Sequence, residues 1–309
     1  MLIRPRTFDE FIGQPKAVSA LRVPVKAALK LKKQLAHILV TGPAGLGKST
    51  LGLSIIPNEL STKAVAVNCA SIEKPTDLLP LIASVPPGGV LFLDEIHALA
   101  GTGCYDYLLT ILEEGKILVK GENGAKPISI IFTPMTVIGA TTREGQLPEP
   151  LRDRFFHQIR LDLYNLEDMT KVVIWTAEQR GLTLYPPAAL EIAKACHGTA
   201  RWAVRLVEAV QDTIAANDSE VPTVDDVHST LDRLGFVKGF TSSEQRYLKA
   251  LAAIDRPAGI QTLASVLDEE ADTVSETIEP WLLQQGYITK TPQGRVLSPK
   301  GQAYVGKDS

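Results

Sequence analysis

One short segment, GPAGLGKST at positions 42–50, constrains the fold of this chain more than any other feature. It has the form G-x-x-x-x-G-K-S and lies between the apolar run HILVT and a stretch with helical spacing. A loop of this form closes its backbone N–H groups around phosphate oxygens at the start of a helix, so it needs a strand before it and a helix after it. The segment therefore predicts an α/β fold with a parallel sheet covered by helices.

The residue types within this loop suit nucleoside triphosphate chemistry. The glycines let the backbone approach the phosphates, Lys48 supplies positive charge to the β and γ phosphates, and the Ser49 hydroxyl is a suitable ligand for Mg²⁺. A chance glycine-rich turn is the alternative, and the strand and helix context disfavours it. We expect ATP to be bound by the loop residues Gly42, Gly45, Leu46, Gly47, Lys48, Ser49 and Thr50.

Two adjacent carboxylates follow a later apolar run in the sequence LFLDEIH. Carboxylates at strand ends are common, but together with a phosphate loop they predict ATP hydrolysis, with Asp94 holding magnesium and Glu95 orienting the attacking water. The loop and the carboxylates lie at the ends of predicted strands, where the carboxyl edge of a parallel sheet collects functional groups. The predicted strands are His37–Thr41, Ala64–Asn68, Val90–Asp94 and Thr136–Ala140.

Three further polar positions are candidates for contacts with the reacting phosphate. Thr142, in GATTR, follows the last of these strands, where it could contact the water or the γ phosphate; without the other motifs, a plain strand-ending turn would be the favoured explanation. Arg152 and Arg154, in LRDRF, are either surface arginines or candidates for an arginine finger offered to the γ phosphate of a neighbouring subunit, which would require an oligomer. Arg201, in GTAR, begins a predicted helix and is a candidate second sensor of the phosphates or an ordinary first-turn arginine.

The chain divides into three predicted domains. Residues 1–164 form the α/β domain, in which two β-rich runs around a Gly-Glu-Asn-Gly turn, between Glu114 and Met135, predict an inserted β-hairpin. Residues 165–236 have apolar residues at helical spacing and predict a small helical domain. Residues 237–309 predict a winged helix, because two short strands around a Pro-Gln-Gly turn follow three helices: Ser243–Ala253, Ile260–Leu267 and Val274–Gln285.

Composition excludes some classes of protein and leaves others open. With 45% apolar and 22% charged residues the chain is globular, and no apolar run approaches the roughly 18 to 20 residues that span a bilayer, so we expect a cytoplasmic protein. The separated cysteines predict reduced, inert thiols and no zinc site. A net charge of -3 gives no overall basic surface, but four basic residues and one acidic residue follow Trp281, either a solvated tail or a nucleic-acid contact.

The order and identity of these motifs resemble the RuvB family of Holliday-junction branch-migration motors. The resemblance extends from IRPRTFDEFIGQ at Ile3 to the strands near Arg295. Phosphate loops are shared by very many proteins, whereas EKPTDL, DEIH, IGATTREG, LRDRF and EPWLLQQGYITKTPQGR are similar to this family in particular.

This resemblance implies an AAA+ ATPase domain, a helical lid and a C-terminal winged helix, with subunits in a hexameric ring around duplex DNA. It implies ATP and Mg²⁺ as cofactors and DNA translocation as the outcome. Ile3 and Arg4 correspond to the adenine end of the nucleotide site, Tyr164 to a residue near the base, and Arg201 to the lid sensor. Arg154 matches the family's finger, and Arg152 is the weaker candidate.

The resemblance also implies two contact surfaces. The hairpin from Ile117 to Ile131 corresponds to the arm that meets the junction-recognising partner RuvA, so its apolar residues, including Ile128 and Ile130, are candidates for docking that protein or for bracing the domain internally. Lys290 and Arg295 in the wing correspond to DNA contacts, where cations neutralise phosphates of a duplex or four-way junction without reading sequence.

The sequence departs from the family pattern in places, with GTAR for GTPR, TPQGR for TPRGR and Ala98 after DEIH. These changes leave the nucleotide residues intact and affect the DNA-contacting and partner-contacting segments. One alternative keeps the ATPase and makes the chain a loader or a protein-remodelling enzyme whose winged helix binds protein. Another is a nucleotide-gated switch with little turnover, which the presence of Glu95 and Arg154 disfavours.

Overall fold

The computed structural model describes residues 4–119, 128–237 and 239–306, with only the backbone of Val119 and Ile128. Within these residues the chain forms two compact units. The first unit contains residues 4–42 and 47–162, and the second contains residues 43–46 and 163–306. The predicted second and third domains therefore lie in one unit, while the exact domain boundaries given above stay predictions.

The first unit is built around a five-stranded parallel sheet in the order β2-β3-β6-β1-β7. Its central strands are buried runs of apolar residues, as expected when helices cover both faces. The strands are β1 (Ile38–Thr41), β2 (Ala64–Asn68), β3 (Val90–Asp94), β6 (Thr136–Thr141) and β7 (His157–Arg160). The helices are α1 (Pro15–Leu31), α2 (Lys48–Thr50, Leu51–Ile55 and Ile56–Glu59), α3 (Pro75–Ala83), α4 (Cys104–Glu114) and α5 (Glu149–Asp153).

A two-stranded antiparallel sheet is inserted in the sequence between α4 and β6. Its strands are β4 (Lys116–Val119) and β5 (Ile128–Ile131), which confirms the predicted hairpin strands. The predicted Gly-Glu-Asn-Gly turn between them lies outside the described residues. Gly115 ends α4 in the left-handed region with φ 63°, so the chain leaves the helix directly into β4.

The second unit begins with four helices that follow one another through short connections, and two of the helices have a side-chain cap at their N-terminus. Asn165 caps the first of them, and Thr223 and Asp226 form a capping box at the last. Sequence periodicity did not single out this last helix, because its ten residues, VDDVHSTLDR, include only three apolar side chains. The four helices are α6 (Leu166–Gln179), α7 (Pro186–Ala195), α8 (Ala200–Ala216) and α9 (Val224–Arg233).

The remainder of the second unit has the predicted winged-helix order around its own apolar core. Thr241 and Glu244 form a capping box at the first of its helices. A short helix after the wing was not predicted. The elements are α10 (Ser242–Ile254), α11 (Ile260–Leu267), α12 (Ala271–Thr273, Val274–Ile278 and Glu279–Gln284), β8 (Ile288–Thr291), β9 (Gly294–Leu297) and α13 (Pro299–Val305).

Two helices contain a widened π turn just before a proline. Leu51–Ile55 in α2 comes two residues before Pro57, and Val274–Ile278 in α12 comes two residues before Pro280. Proline has no backbone N–H and cannot complete the usual bond to the fourth residue before it, so the preceding turn adjusts its hydrogen bonds. The π turn in α2 directly follows the phosphate loop.

Close packing between α2 and the sheet predicts the effect of one substitution. A Cβ on Gly52 would lie 2.1 Å from a ring carbon of Phe92, which is fully buried in β3. We expect Gly52→Ala to destabilise the first unit by about 1–3 kcal/mol because the core cannot accept the extra methyl group. The control is Gly145→Ala, where the added Cβ meets nothing within 4 Å. Urea unfolding measures both, and equal midpoints for the two variants would contradict the packing argument.

Candidate nucleotide site

The carboxyl edge of the parallel sheet brings three predicted site segments together. The phosphate loop follows β1, Asp94 ends β3 and Thr142 follows β6. Since β6 pairs with both β1 and β3 in parallel register, the three strand ends are neighbours at one edge. The sheet order, rather than proximity in sequence, thus assembles the polar groups.

Lys48 is held at the start of α2 with its side chain inside the first unit. The residue is 6% exposed, and its Nζ donates to the carbonyl oxygen of Gly42 at 2.8 Å. Gly42 has φ 135°, and a Cβ there would lie 2.3 Å from the carbonyl oxygen of Leu161, so only glycine fits. The ammonium group is therefore fixed at the mouth of the loop.

Ser49 and Asp94 are joined by a side-chain hydrogen bond, and Lys48 lies close enough to attract the carboxylate. Burial raises the pKa of Asp94, and the negative charge of Glu95 adds to this effect, while Lys48 and the Ser49 hydrogen bond oppose it. A hydroxyl and a carboxylate are hard oxygen donors, which suits Mg²⁺; this ion commonly takes one or two protein ligands and completes its shell with water and phosphate oxygens. The described residues contain no cluster of three or more acidic, histidine or cysteine ligands, and a magnesium site of this kind needs none.

Glu95 is held in place by the turn that follows β6. Its Oε2 accepts the backbone N–H of Thr142 at 3.2 Å and the Thr142 hydroxyl at 3.3 Å. The backbone of Glu95 is left-handed, with φ 50°, an unusual state for a glutamate and one that occurs at functional sites. Thr142 therefore contacts the catalytic candidate itself in this structure.

Three residues without a role assigned from the sequence, His97, Thr141 and Tyr105, support the turn that carries Glu95. The Nδ1 of His97 lies 3.2 Å from Glu95 Oε2 and 2.9 Å from the hydroxyl of Thr141. The Tyr105 hydroxyl donates to the carbonyl oxygens of Ile96 and His97 and so fixes the turn after the carboxylates. His97 was visible as the last letter of DEIH, whereas nothing in the sequence pointed to Tyr105.

The two arginines of LRDRF differ in their surroundings. Arg154 is exposed and forms an ion pair with Glu113 of α4. Arg152 is half-buried, and its Nε has no hydrogen-bond partner among the described residues. The exposed guanidinium of Arg154 is the more accessible of the two for a group outside the chain.

The crest of the phosphate loop, residues 43–46, belongs to the second unit. The Arg201 backbone N–H donates to the Gly45 carbonyl oxygen at 3.2 Å, and the Tyr164 hydroxyl donates to the Leu46 carbonyl oxygen at 3.5 Å. Gly45 has φ 82°, and a Cβ there would lie 2.9 Å from Cβ of Arg201. Tyr164 and Arg201 therefore both contact the loop in which the sequence predicts phosphate binding.

The remaining nucleotide-site predictions concern the N-terminal segment and the end of the loop. Ile3 lies outside the described residues. Arg4 is half-buried, and the next residue, Pro5, accepts a 2.6 Å hydrogen bond from Ser54 of α2. Thr50 is half-buried in the first turn of α2.

The hairpin has an inner and an outer face. Ile117 is 2% exposed, and Ile130 is partly buried against the core of the first unit, so Ile130 acts as an internal brace. The side chain of Ile128 is not described. Because side chains alternate along a strand, the outer positions carry the exposed apolar side chains, Leu118 at 66% and Ile131 at 78%.

Lys290 and Arg295 meet on one buried carboxylate. Glu279 is fully buried; its oxygens contact Lys290 Nζ at 2.9 Å and Arg295 Nε at 2.8 Å, and it accepts from the Tyr247 hydroxyl at 2.9 Å. Burial acts to raise the pKa of Glu279, but the hydrogen bonds from Arg295 and Lys290 outweigh it and lower the pKa. Arg295 is thus mostly buried in its ion pair with Glu279 and stabilises the wing, whereas the side chain of Lys290 is about half exposed.

Comparison with protein-family models covers nearly the whole chain. The Holliday junction DNA helicase RuvB P-loop domain matches residues 3–161, the RuvB AAA lid domain matches residues 164–236, and the RuvB C-terminal winged helix domain matches residues 237–306. The chain belongs to the RuvB family. The resemblance and the fold class expected from the sequence are therefore confirmed.

Individual RuvB proteins are similar to this chain in sequence and in structure along nearly its whole length. The chain is 39% identical over 98% of its length to the Holliday junction branch migration complex subunit RuvB of Campylobacter fetus, covering 89% of that protein. It is 38% identical to the protein of the same name from Acholeplasma laidlawii over 96% of its length, covering 89% of that protein. The solved Thermotoga maritima RuvB Holliday junction branch migration motor superposes with a TM-score of 0.88 at 33% identity, covering 98% of both chains.

Two further properties of this RuvB-family chain follow from the described residues. None of their helices is both long and apolar enough to cross a membrane. All three cysteines are free and buried, as expected from their spacing.

The raised pKa of Asp94 predicts a stability change. A carboxyl group whose pKa is higher in the folded chain costs stability once the pH exceeds its unfolded pKa, and this cost is absent at lower pH, where both states are protonated. We therefore expect Asp94→Asn to raise the thermal unfolding midpoint of the nucleotide-free protein at neutral pH, with a gain that shrinks as the pH falls towards about 4. Differential scanning fluorimetry measures this against Asp212→Asn, an exposed control; a lower midpoint for Asp94→Asn would refute the prediction.

Proposed function

We propose that this chain is an ATP-driven motor that moves four-way DNA junctions, the function for which its RuvB relatives are named. The observation that carries the proposal is the meeting of Lys48, the Ser49–Asp94 pair and the Glu95–Thr142 pair at one sheet edge, in a chain that matches RuvB models along its length. We place its activity in the cytoplasm.

In the proposed reaction, Glu95 orients a water molecule for attack on the γ phosphate and takes up its proton. Thr142 donates its backbone N–H and its hydroxyl to Glu95 Oε2 in the present geometry and so orients the carboxylate for the water. Lys48 neutralises charge on the β and γ phosphates. Ser49 and Asp94 would hold Mg²⁺, which would supply further neutralisation of phosphate charge.

Other residues complete the nucleotide set that we propose. The backbone of Gly42, Gly45, Leu46, Gly47 and Thr50 surrounds the phosphates, and Arg201 senses the nucleotide from the lid. Tyr164, Arg4 and Ile3 are assigned to the base. The contacts of Arg201 and Tyr164 with Gly45 and Leu46 support this assignment, because they connect both residues to the phosphate loop.

Arg154 is proposed to act on the nucleotide of a neighbouring subunit, which makes the working form an oligomer, specifically a hexameric ring. Its exposure supports this role, since a surface guanidinium can exchange its intramolecular partner Glu113 for phosphate oxygens. An arginine finger of this kind contributes on the order of 10³ to 10⁵ in rate.

Two surfaces are proposed for macromolecular partners. Lys290 contacts the phosphate backbone of duplex DNA, with Arg295 fixing the wing that carries it. The outer face of the hairpin, formed by Leu118 and Ile131, is the better candidate for docking a RuvA-like protein, because those side chains are exposed and Ile130 is not.

The first test of this function is turnover on a synthetic four-way junction. We expect the parent to convert the junction into duplex products with ATP and not with a non-hydrolysable analogue, alone or with a RuvA protein. Glu95→Gln should bind ATP normally and lose about 10² to 10⁴ of the hydrolysis rate, because water activation is removed. Glu114→Gln, at an exposed glutamate of α4, is the control; an unchanged rate for Glu95→Gln would reject the assignment.

The second test separates DNA binding from protein binding by the winged helix. We expect affinity for duplex DNA to fall steeply with salt, and Lys290→Gln to reduce the slope of log affinity against log salt by about 0.9, the value for one phosphate contact. Lys194→Gln removes an exposed cation that is paired with Glu191 in the lid and serves as the control. Salt-independent or absent DNA binding by the parent would instead favour a loader or remodelling enzyme.

A further inference from the structure

The turn between α7 and α8 contacts the phosphate loop. It contains Gly198, which accepts a 2.9 Å hydrogen bond from the backbone of Tyr164, and it leads into Arg201, whose N–H bonds to Gly45. A Cβ on Gly198 would lie 3.0 Å from the Tyr164 carbonyl oxygen, so this turn has little freedom to shift alone. A displacement of the loop crest is therefore transmitted to this turn.

The residue before Gly198 connects the same turn to the winged helix. His197 is 5% exposed and has a left-handed backbone with φ 51°. Its Nε2 lies 2.8 Å from the Gly239 carbonyl oxygen, its Nδ1 lies 3.0 Å from Glu244 Oε1, and its ring stacks on Trp281 with centroids 4.2 Å apart. Three separate segments of the winged helix thus converge on one side chain of the lid.

The contacts between His197 and the winged helix have defined hydrogen-bond donors and acceptors and lie away from water. A carbonyl oxygen only accepts, so Nε2 must donate to Gly239. Glu244 Oε2 already accepts the N–H and hydroxyl of Thr241 at 2.8 and 2.9 Å, which leaves Oε1 for the imidazole. The His197 and Glu244 side chains are nearly excluded from water, at 6% and 4% exposure. Breaking their contact would therefore leave buried polar groups without a hydrogen-bond partner, which is costly.

We propose that His197 is a positioning residue that locks the winged helix to the nucleotide-sensing turn, so that the lid and the winged helix move as one lever. Its signalling role rests on the ATPase function proposed above, whereas the rigidity of the connection does not. Arg201 senses the phosphates, and His197, four residues earlier in the chain, passes a displacement of this turn to the winged helix through Gly239, Glu244 and Trp281.

Rigidity is tested by the distance between two spin labels within the second unit. The labels are attached at Glu178→Cys on α6 and Ser265→Cys on α11, both exposed. The native cysteines are buried, and burial raises the pKa of Cys69 to about 12 and also raises the pKa of Cys196, so these thiols do not compete for the label. Pulsed electron resonance on the full chain should give one narrow distance distribution.

The test variant is His197→Asn. Asparagine tolerates the left-handed backbone, and it lacks the imidazole that contacts Gly239, Glu244 and Trp281. The matched control is His228→Asn, which breaks an exposed histidine contact with Glu191 inside the lid. We expect the distribution to broaden at least twofold in His197→Asn and to stay unchanged in the control. His197→Phe keeps an aromatic ring but not the hydrogen bonds, and it should broaden the distance distribution as well. This second variant tests the proposal if His197→Asn does not fold.

The functional readout is ATP turnover with and without duplex DNA. We expect His197→Asn to keep basal turnover within about twofold of the parent and to lose most of the stimulation by DNA, as the lever no longer connects the two ends. A parent-like distance distribution in both His197 variants would overturn the proposal. If the parent itself showed no DNA stimulation while the distribution still broadened, the proposed motor function would fail and the rigid connection would stand.

Discussion

The parallel pairing of β6 with both β1 and β3 is the constraint on which the rest of the first unit depends. It aligns Leu39 with Gly139 and Leu93 with Gly139, so the phosphate loop, Asp94 and Thr142 leave the sheet at one edge. Gly139 itself is closely packed, since an added Cβ would lie 3.2 Å from both Ile96 and Phe155. The core thus fixes the strand register, and the register fixes the distance between the phosphate-binding and water-orienting groups.

The second unit depends on buried carboxylates that are matched by nearby cations or proton donors. Glu279 joins Lys290, Arg295 and Tyr247, and Glu244 joins the winged helix to His197. Removing one member of such a group leaves a buried charge without its partner, which typically costs about 3–5 kcal/mol. These carboxylates therefore fix the geometry of the wing and of its connection to the lid. Lys290 consequently has a structural role in the wing in addition to its proposed contact with DNA.

Sequence alone predicted four of the five strands of the parallel sheet, the hairpin strands and the winged-helix order, because each depends on local periodicity and turn chemistry. It missed β7, whose four residues, HQIR, contain one buried apolar side chain and are strand only through pairing with β1. It also missed Tyr105 and Glu279, since their tasks arise from contacts between residues distant in sequence. For Ile130 the sequence left docking and internal bracing both open, because the inward and outward faces of a hairpin cannot be distinguished until the register with the core is known.

The central claim is that hydrolysis needs the phosphate loop of one subunit and Arg154 of the next. Mixing two inactive variants, Lys48→Ala and Arg154→Ala, tests it directly, because a mixed ring contains seams with an intact loop from one variant and an intact arginine from the other. The account predicts that each variant alone is inactive on junction DNA and that the mixture regains measurable ATP turnover. Full activity of Arg154→Ala alone, or no recovery in mixtures proven to co-assemble, would contradict it.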